Sequence, residues 1–356
     1  MGARGDDAGE QCGGGSESGR DLVCGAGGGG EREFSFPLTL GAGAPNPRLF
    51  PEAAVTNLFY WVNRSRDLFY SNGLDEAAGN FQASNLGFGG VDGDPMFAYA
   101  HFGSASTSGF PDLNDAFYSV RGGLANGAYA ADVIRHEYTH GATRWLISML
   151  SGFQGGAINE SFSDFGALES LLPEGAPADG VYTVGNYSFR AFGRWIRSRP
   201  YTKKLEINPL TYADFGRAIS APSIDNDGGI WVMAFGEVRA NLIRQFGDRE
   251  GRRRRQIVLD GMKLAPPSPS MVDLRDAVLL AERIDFRGQS HAQLWDELAK
   301  RGLGALAYSP SNDSIQIKAS FEVASKAGVA DFRRPPVVAG QVLPIVLADR
   351  DLTGGV

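Results

Sequence analysis

The chain has 356 residues, 43% hydrophobic and 21% charged, with a formal net charge of −7. That length allows one large domain or two ordinary ones with a sizeable core, and the acidic balance gives no reason to expect a nucleic-acid partner. No apolar run approaches the roughly 18–20 residues of a bilayer span, and the opening MGARGDDAGEQCGGG lacks the apolar stretch of a secretory signal peptide.

Residues 1–33 are rich in Gly with scattered charges and almost no large apolar residue, a composition expected to stay disordered. Cys12 and Cys24, the only cysteines, both lie there and can form no more than a small local disulfide. From Phe34, EFSFPLTL alternates like a strand. AVTNLFYWVNRSRDLFYSNG (54–73) has apolar residues at helical spacing and an Asn72-Gly73 stop. DPMFAYAHFGSAS (94–106) reads as a strand entering a Gly/Ser loop. A long helix is expected over about 128–150, then a Gly-rich turn, SMLSGFQGGA, then a helix over 158–172 ending at Pro173.

Further helices are expected over 230–246, 271–283 and 290–301, the last with Ser290 as N-cap. The basic run Arg252 to Arg255, flanked by Asp248, Glu250 and Asp260, reads as a solvated helix end or loop. After residue 308 the pattern breaks into short apolar runs separated by Pro, Gly and Asp. The chain thus divides into a Gly-rich segment (1–33), one main domain (34–308), and an extension (309–356) that is an edge element or the start of a truncated module.

The first long helix carries RHEYTHGATRWL (135–146). Residues four apart on an α-helix lie about 40° apart around the axis, so His136 and His140 project from one face and can offer two imidazoles to one metal. Glu137, about 100° round from His136, can reach a water on that metal without ligating it. A catalytic zinc needs a third protein ligand and an open position. Glu160, in AINESFSDFGALES, stands twenty residues after His140 near the start of the next helix, and Asp164 shares its face. Asp164 can accept the free N–H of a ligating His and fix its tautomer. Without these partners, the two His would read as ordinary residues of an amphipathic helix.

The pairing of HEYTH with NESFSD resembles the thermolysin-type zinc peptidases, and separate blocks narrow the resemblance to the fungalysin family. Those blocks are GLDEAAGNFQASNLGFGGVDGDP (73–95), NLFYWVNRSRDLFY (57–70), RPYTKKLEINPLTY (199–212), FGEVRANLIRQF, LDGMKLAPPSPSMVDLRDAVLLAE and LWDELAKRGLG, reaching to about residue 304. The resemblance implies an α+β, two-lobed fold: a mixed N-terminal lobe with strands, a mainly helical C-terminal lobe, and a zinc in the cleft between them. It implies one Zn²⁺ held by His136, His140 and Glu160, with a zinc-bound water activated by Glu137. The substrate is an extended peptide or protein chain, paired with an edge strand around Met96 to Phe102 and with an apolar residue preferred just after the cleaved bond. Arg197 matches the arginine that steadies a substrate carbonyl. Secretion and an inhibitory propeptide are also implied, although neither a signal nor a propeptide is visible in this chain.

The chain departs from the family pattern at several positions. The downstream His that bonds the developing oxyanion has no counterpart: alignment on Asp-Asn and Gly-Gly puts Trp231 there, and alignment on Gly-Glu-Val puts Met233 there. Only Trp231 offers an N–H donor. Ser151 stands in place of a tyrosine, Arg66 in place of another His, and Ser108-Gly109 in place of the Asn-Ala pair that clamps the peptide backbone. Of the remaining His, His101 reads as a cleft-wall residue and His291 as a surface one. Asp225 and Asp227 either hold a Ca²⁺ or cap the next helix. The expected function is a zinc metalloendopeptidase. The alternative, favoured by the missing His, is a weak or inactive zinc-binding domain acting as a binding module.

Overall fold

The computed structural model describes residues 13–15, 22–23, 35–39, 49–100, 127–147, 149–188 and 195–323. Among them are seven α-helices and three very short strands, so the described fold is mostly helical. No helix among the described residues is long and apolar enough to cross a membrane. The strands β1 (Gly13–Gly15), β2 (Leu22–Val23) and β3 (Ala98–Tyr99) form one small sheet. β1 is central, antiparallel to β2 and parallel to β3, with Gly14 opposite Ala98. Residues 35–39 are exposed and irregular rather than a strand. Pro37 deprives such a strand of one ladder donor.

Helix α1 (Pro51–Ser71) starts three residues before the expected position 54. Pro51 suits a first turn, where the missing N–H would have no helical partner. Its buried face runs Ala54, Val55, Leu58, Val62, Ser65 and Phe69, a helical spacing. Helix α2 (Ala131–Leu146) is buried at every position from Val133 to Thr143, because neighbouring elements cover it all round.

Helix α3 (Gly152–Leu171) starts well before residue 158, so much of the expected Gly-rich turn is helical. The cap comes from far along the chain. Phe153 N–H donates to Asp313 Oδ1 (2.9 Å) and Gln154 N–H to Asn312 O (2.9 Å), satisfying donors the first helical turn cannot satisfy itself. The Gln154 side chain, fully buried, donates to the Ser311 and Ser314 carbonyls and accepts from Met271 N–H. Residues 309–314 are therefore packed onto the start of α3.

Helix α4 (Ile224–Arg254) is longer than expected and breaks from helical geometry at Gly247 (φ 80°). It is followed by α5 (Gln256–Leu264), α6 (Met271–Phe286) and α7 (His291–Lys300). Ser270 caps α6 through a reciprocal pairing with Asp273. Ser290 precedes α7 but makes no side-chain cap; its N–H instead donates to the buried Glu282 carboxylate (2.7 Å). The basic run is not a solvated end at its C-terminal half. Arg254 is buried over the Phe246 and Phe286 rings, and Arg255 pairs with Glu169. Arg301, with no exposed surface, ties α7 to α4 through Glu237 and donates to the carbonyls of Thr202, Asn208 and Leu210.

The centre of the molecule is α3 packed between α2 and α4. Phe162 and Phe165 of α3 meet Phe235 of α4, with ring centroids 5.2 and 5.1 Å apart, and Trp231 lies 4.7 Å from Phe235. Two glycines allow these helices to approach so closely. A Cβ on Gly166 would lie 2.8 Å from Thr139 Oγ1 across α2, and one on Gly228 would lie 2.6 Å from the Ala157 carbonyl across α3. Backbone cannot yield as a flexible side chain can. Gly228→Val is therefore expected to destabilise the metal-free protein by roughly 1–3 kcal/mol, read as a lower midpoint in urea. An unchanged midpoint would show that α3 and α4 separate freely.

Candidate metal centre

The helical frame brings four stretches of sequence to one buried point. α2 supplies His136, Glu137 and His140, and α3 supplies Glu160, Ser163 and Asp164. Residues 195–201 supply Arg197 and Tyr201, and the first turn of α4 supplies Asp225. The two imidazoles lie edge to face, centroids 4.5 Å apart. His136 Nε2 is 3.5 Å from Glu160 Oε2, and His140 Nε2 is 3.5 Å from Glu160 Oε1. One ligand atom from each of these three residues falls within 4.8 Å of the others, the only such group among the described residues.

Both Nδ1 atoms are turned away from that point and engaged. His136 Nδ1 meets Asp164 Oδ1 at 2.7 Å, and His140 Nδ1 meets Ser163 Oγ at 2.8 Å. The Nε2 atoms are thereby left to converge on the Glu160 carboxylate. Two imidazoles and one carboxylate with outer partners already in place fit a zinc-type donor set with room for a further ligand.

Asp164 is almost wholly buried and has more than one duty. Its Oδ2 accepts from Arg197 Nε (2.7 Å) and from the Tyr201 hydroxyl. Arg197 also donates from Nη1 to Asp225 Oδ1 (2.7 Å) and from Nη2 to Glu160 Oε2 (2.8 Å), so one guanidinium spans three carboxylates. Burial works to raise Asp164, but Arg197 and His136 hold it well below the usual carboxylate range. Burial likewise opposes the charge on Glu160, yet hydrogen bonding and attraction from His136, with His140 and Arg197, hold it down to about 2. Burial would lower His136, but the Asp164 charge and hydrogen bond outweigh it and carry the imidazole up to about 10. His140, buried and beside His136, is pushed down to about 4.

The sequence-predicted ligand set and its orienting Asp thus fall together, with Glu137 buried beside His136 on the same helix. Arg197 sits among the carboxylates. Trp231 and Met233 are both core side chains, at 0% and 2% exposure. Asp227 accepts from the backbone N–H groups of Gly216, Ala218 and Ser223, and Asp225 from Arg197. Arg66 donates to Gln82 and lies over the Tyr70 ring, while Ser151 meets Ser268. His291 sits at the start of α7 between Glu282 and Trp295. His101, Ser108 and Gly109 lie outside the described residues, as do Cys12 and Cys24. Ser163 and Tyr201 join the site beyond the residues expected from the sequence. The face shared by Glu160 and Asp164 points to neither, although the SFSD run placed a hydroxyl next to Asp164.

The family model for Fungalysin metallopeptidase (M36) matches residues 20–307. The chain belongs to the fungalysin metallopeptidase family. It is 31% identical over 301 residues to the extracellular metalloproteinase mep of Aspergillus flavus, covering 76% of this chain and 46% of that protein. It is 33% identical over 309 residues to extracellular metalloproteinase 4 of Arthroderma otae, covering 78% of this chain and 47% of that one. The chain spans about half the length of the curated relatives it matches. A solved structure, the precursor of protealysin, a metalloproteinase from Serratia proteamaculans, superposes with a TM-score of 0.47 at 18% identity, over 70% of this chain and 79% of that one.

With His136 at about 10, its metal-free imidazole is charged at pH 7.5, whereas His140, at about 4, is neutral. A metal must displace the His136 proton, so affinity should climb with pH until it approaches that value. Zinc titration calorimetry at pH 7.5 in buffers of different ionisation enthalpy should report about one proton released per ion from this centre. Release of none would show that His136 is already neutral.

Proposed function

We propose that this chain is a zinc-dependent endopeptidase that hydrolyses peptide bonds in extended peptide or protein substrates outside the cell, with one zinc per chain. The observation that carries the reading is the convergence of His136 Nε2, His140 Nε2 and the Glu160 carboxylate, with Glu137 beside them, in a fungalysin-family chain. The names of the relatives, extracellular metalloproteinases, support both the reaction and the location. The catalytic unit is taken as residues 34–308, with a peptide-binding cleft between a mixed lobe and a helical lobe.

His136, His140 and Glu160 would hold the ion, and Asp164 would keep His136 in the tautomer that presents Nε2. When bound, zinc supplies a Lewis acid that polarises the scissile carbonyl and makes water a better nucleophile. Glu137 takes the proton from the attacking water at its carboxylate and passes it to the departing amine. A base at this position is of no use to a protein that merely binds. Arg197, by resemblance the residue that steadies a substrate carbonyl, is occupied by three carboxylates. Asp225, whose side chain is half exposed, is the one free to give way to a substrate carbonyl.

The absent oxyanion His sets the expected rate. Loss of one such donor typically costs about 10²–10³-fold, against total enhancements that begin at about 10⁶-fold. A slow peptidase remains within that margin. Glu137→Gln should keep one zinc per chain while hydrolysis of casein or a quenched peptide falls by about 10²–10⁴-fold. Zinc-loaded wild type and variant that are equally inactive would sink the proposal.

A further inference from the structure

The two ligand imidazoles are backed by chemically different groups. Behind His136 stands a carboxylate whose charge is shared with Arg197 and Tyr201. Behind His140 stands a hydroxyl, Ser163 Oγ, 2.8 Å from Nδ1, with both side chains buried. When Nε2 faces a metal, Nδ1 carries the hydrogen, so the ring must donate and the serine oxygen must accept. Asn159 lies one turn earlier on the same face of α3, and its side chain also acts on His140. Ser163 Oγ, at 2.8 Å, is the oxygen placed to take the Nδ1 hydrogen.

We propose that Ser163 is the positioning residue for His140, locking the tautomer and the rotation of the ring that offers Nε2 to the metal. This rests on the zinc reading above. The choice of a hydroxyl has a chemical consequence. A carboxylate makes an imidazole a stronger donor and draws positive charge off the ion, whereas a neutral oxygen orients the ring without adding charge. With Asp164 behind one ring, a second carboxylate would place another buried anion beside Asp164 and Glu160. Ser163 orients His140 without that cost.

The test measures zinc dissociation constants by competition with a chromophoric chelator, alongside the visible absorption of the cobalt-substituted protein. Ser163→Ala should weaken zinc by about 10–100-fold and shift the cobalt bands, while the metal-free unfolding midpoint moves little. Ser163→Thr, which keeps the hydroxyl, should restore both affinity and spectrum. Asn159→Ala should stay close to wild type in both. Wild type that binds no zinc would overturn the site itself together with this proposal. Wild type that binds zinc, with Ser163→Ala binding it equally well, would overturn the role of Ser163 alone. So would a loss that follows Asn159→Ala instead, or one that Thr does not rescue.

Discussion

The Asp164 carboxylate is the point on which the centre of this molecule depends. It is buried, it is ionised, and each of its oxygens is committed: one to His136, the other to Arg197 and Tyr201. A lone buried carboxylate would be strongly disfavoured, and one left without its cation typically costs a protein several kcal/mol, about 3–5. Arg197 supplies the compensating charge and extends it to Glu160 and Asp225. The result is a lattice of alternating charge behind His136 and Glu160. The same lattice leaves His136 holding a proton that metal must replace.

That lattice could not exist without the packing around it. His136 and His140 come from α2, Glu160 and Asp164 from α3, and Asp225 from α4, so their relative positions are set by how closely three helices stack. Gly166 and Gly228 stand at the two contacts where any side chain would intrude, and the Phe162, Phe165 and Phe235 rings fill the space further along α3 and α4. Trp231 belongs to that packing. It faces Phe235, and its indole N–H has no hydrogen-bond partner. Trp231 and Met233, the two positions that the sequence offers for the family His, are both core side chains.

The cluster of His136, His140 and Glu160 was legible in the sequence because its spacing is a local property of two helices: four residues fix a face, and a helix–turn–helix fixes the return. The longer helices were legible for the same reason, from apolar periodicity. What local pattern could not convey was anything decided at long range. The true start of α3 depends on residues about 160 positions downstream, so a Gly-rich run looked like a turn. Arg255 looked solvated because Glu169, its partner, lies on another helix. Arg301, wholly enclosed, gave no sign among neighbours of ordinary polarity. Ser163 carries no local signal, because a serine within a helix usually has no role of its own. It gains meaning only from the ring opposite it.

The cap on α3 has a bearing on how this fold is to be divided. Similarity to the family model ends at residue 307, yet Ser311, Asn312, Asp313 and Ser314 hold down the first turn of the helix that carries Glu160. Common descent and mechanical integrity therefore place the edge of this unit at different residues. A stretch that shared ancestry would discard as an appendage serves as the anchor of the helix that carries Glu160, and it gives substitutions there a route to that carboxylate with no direct contact.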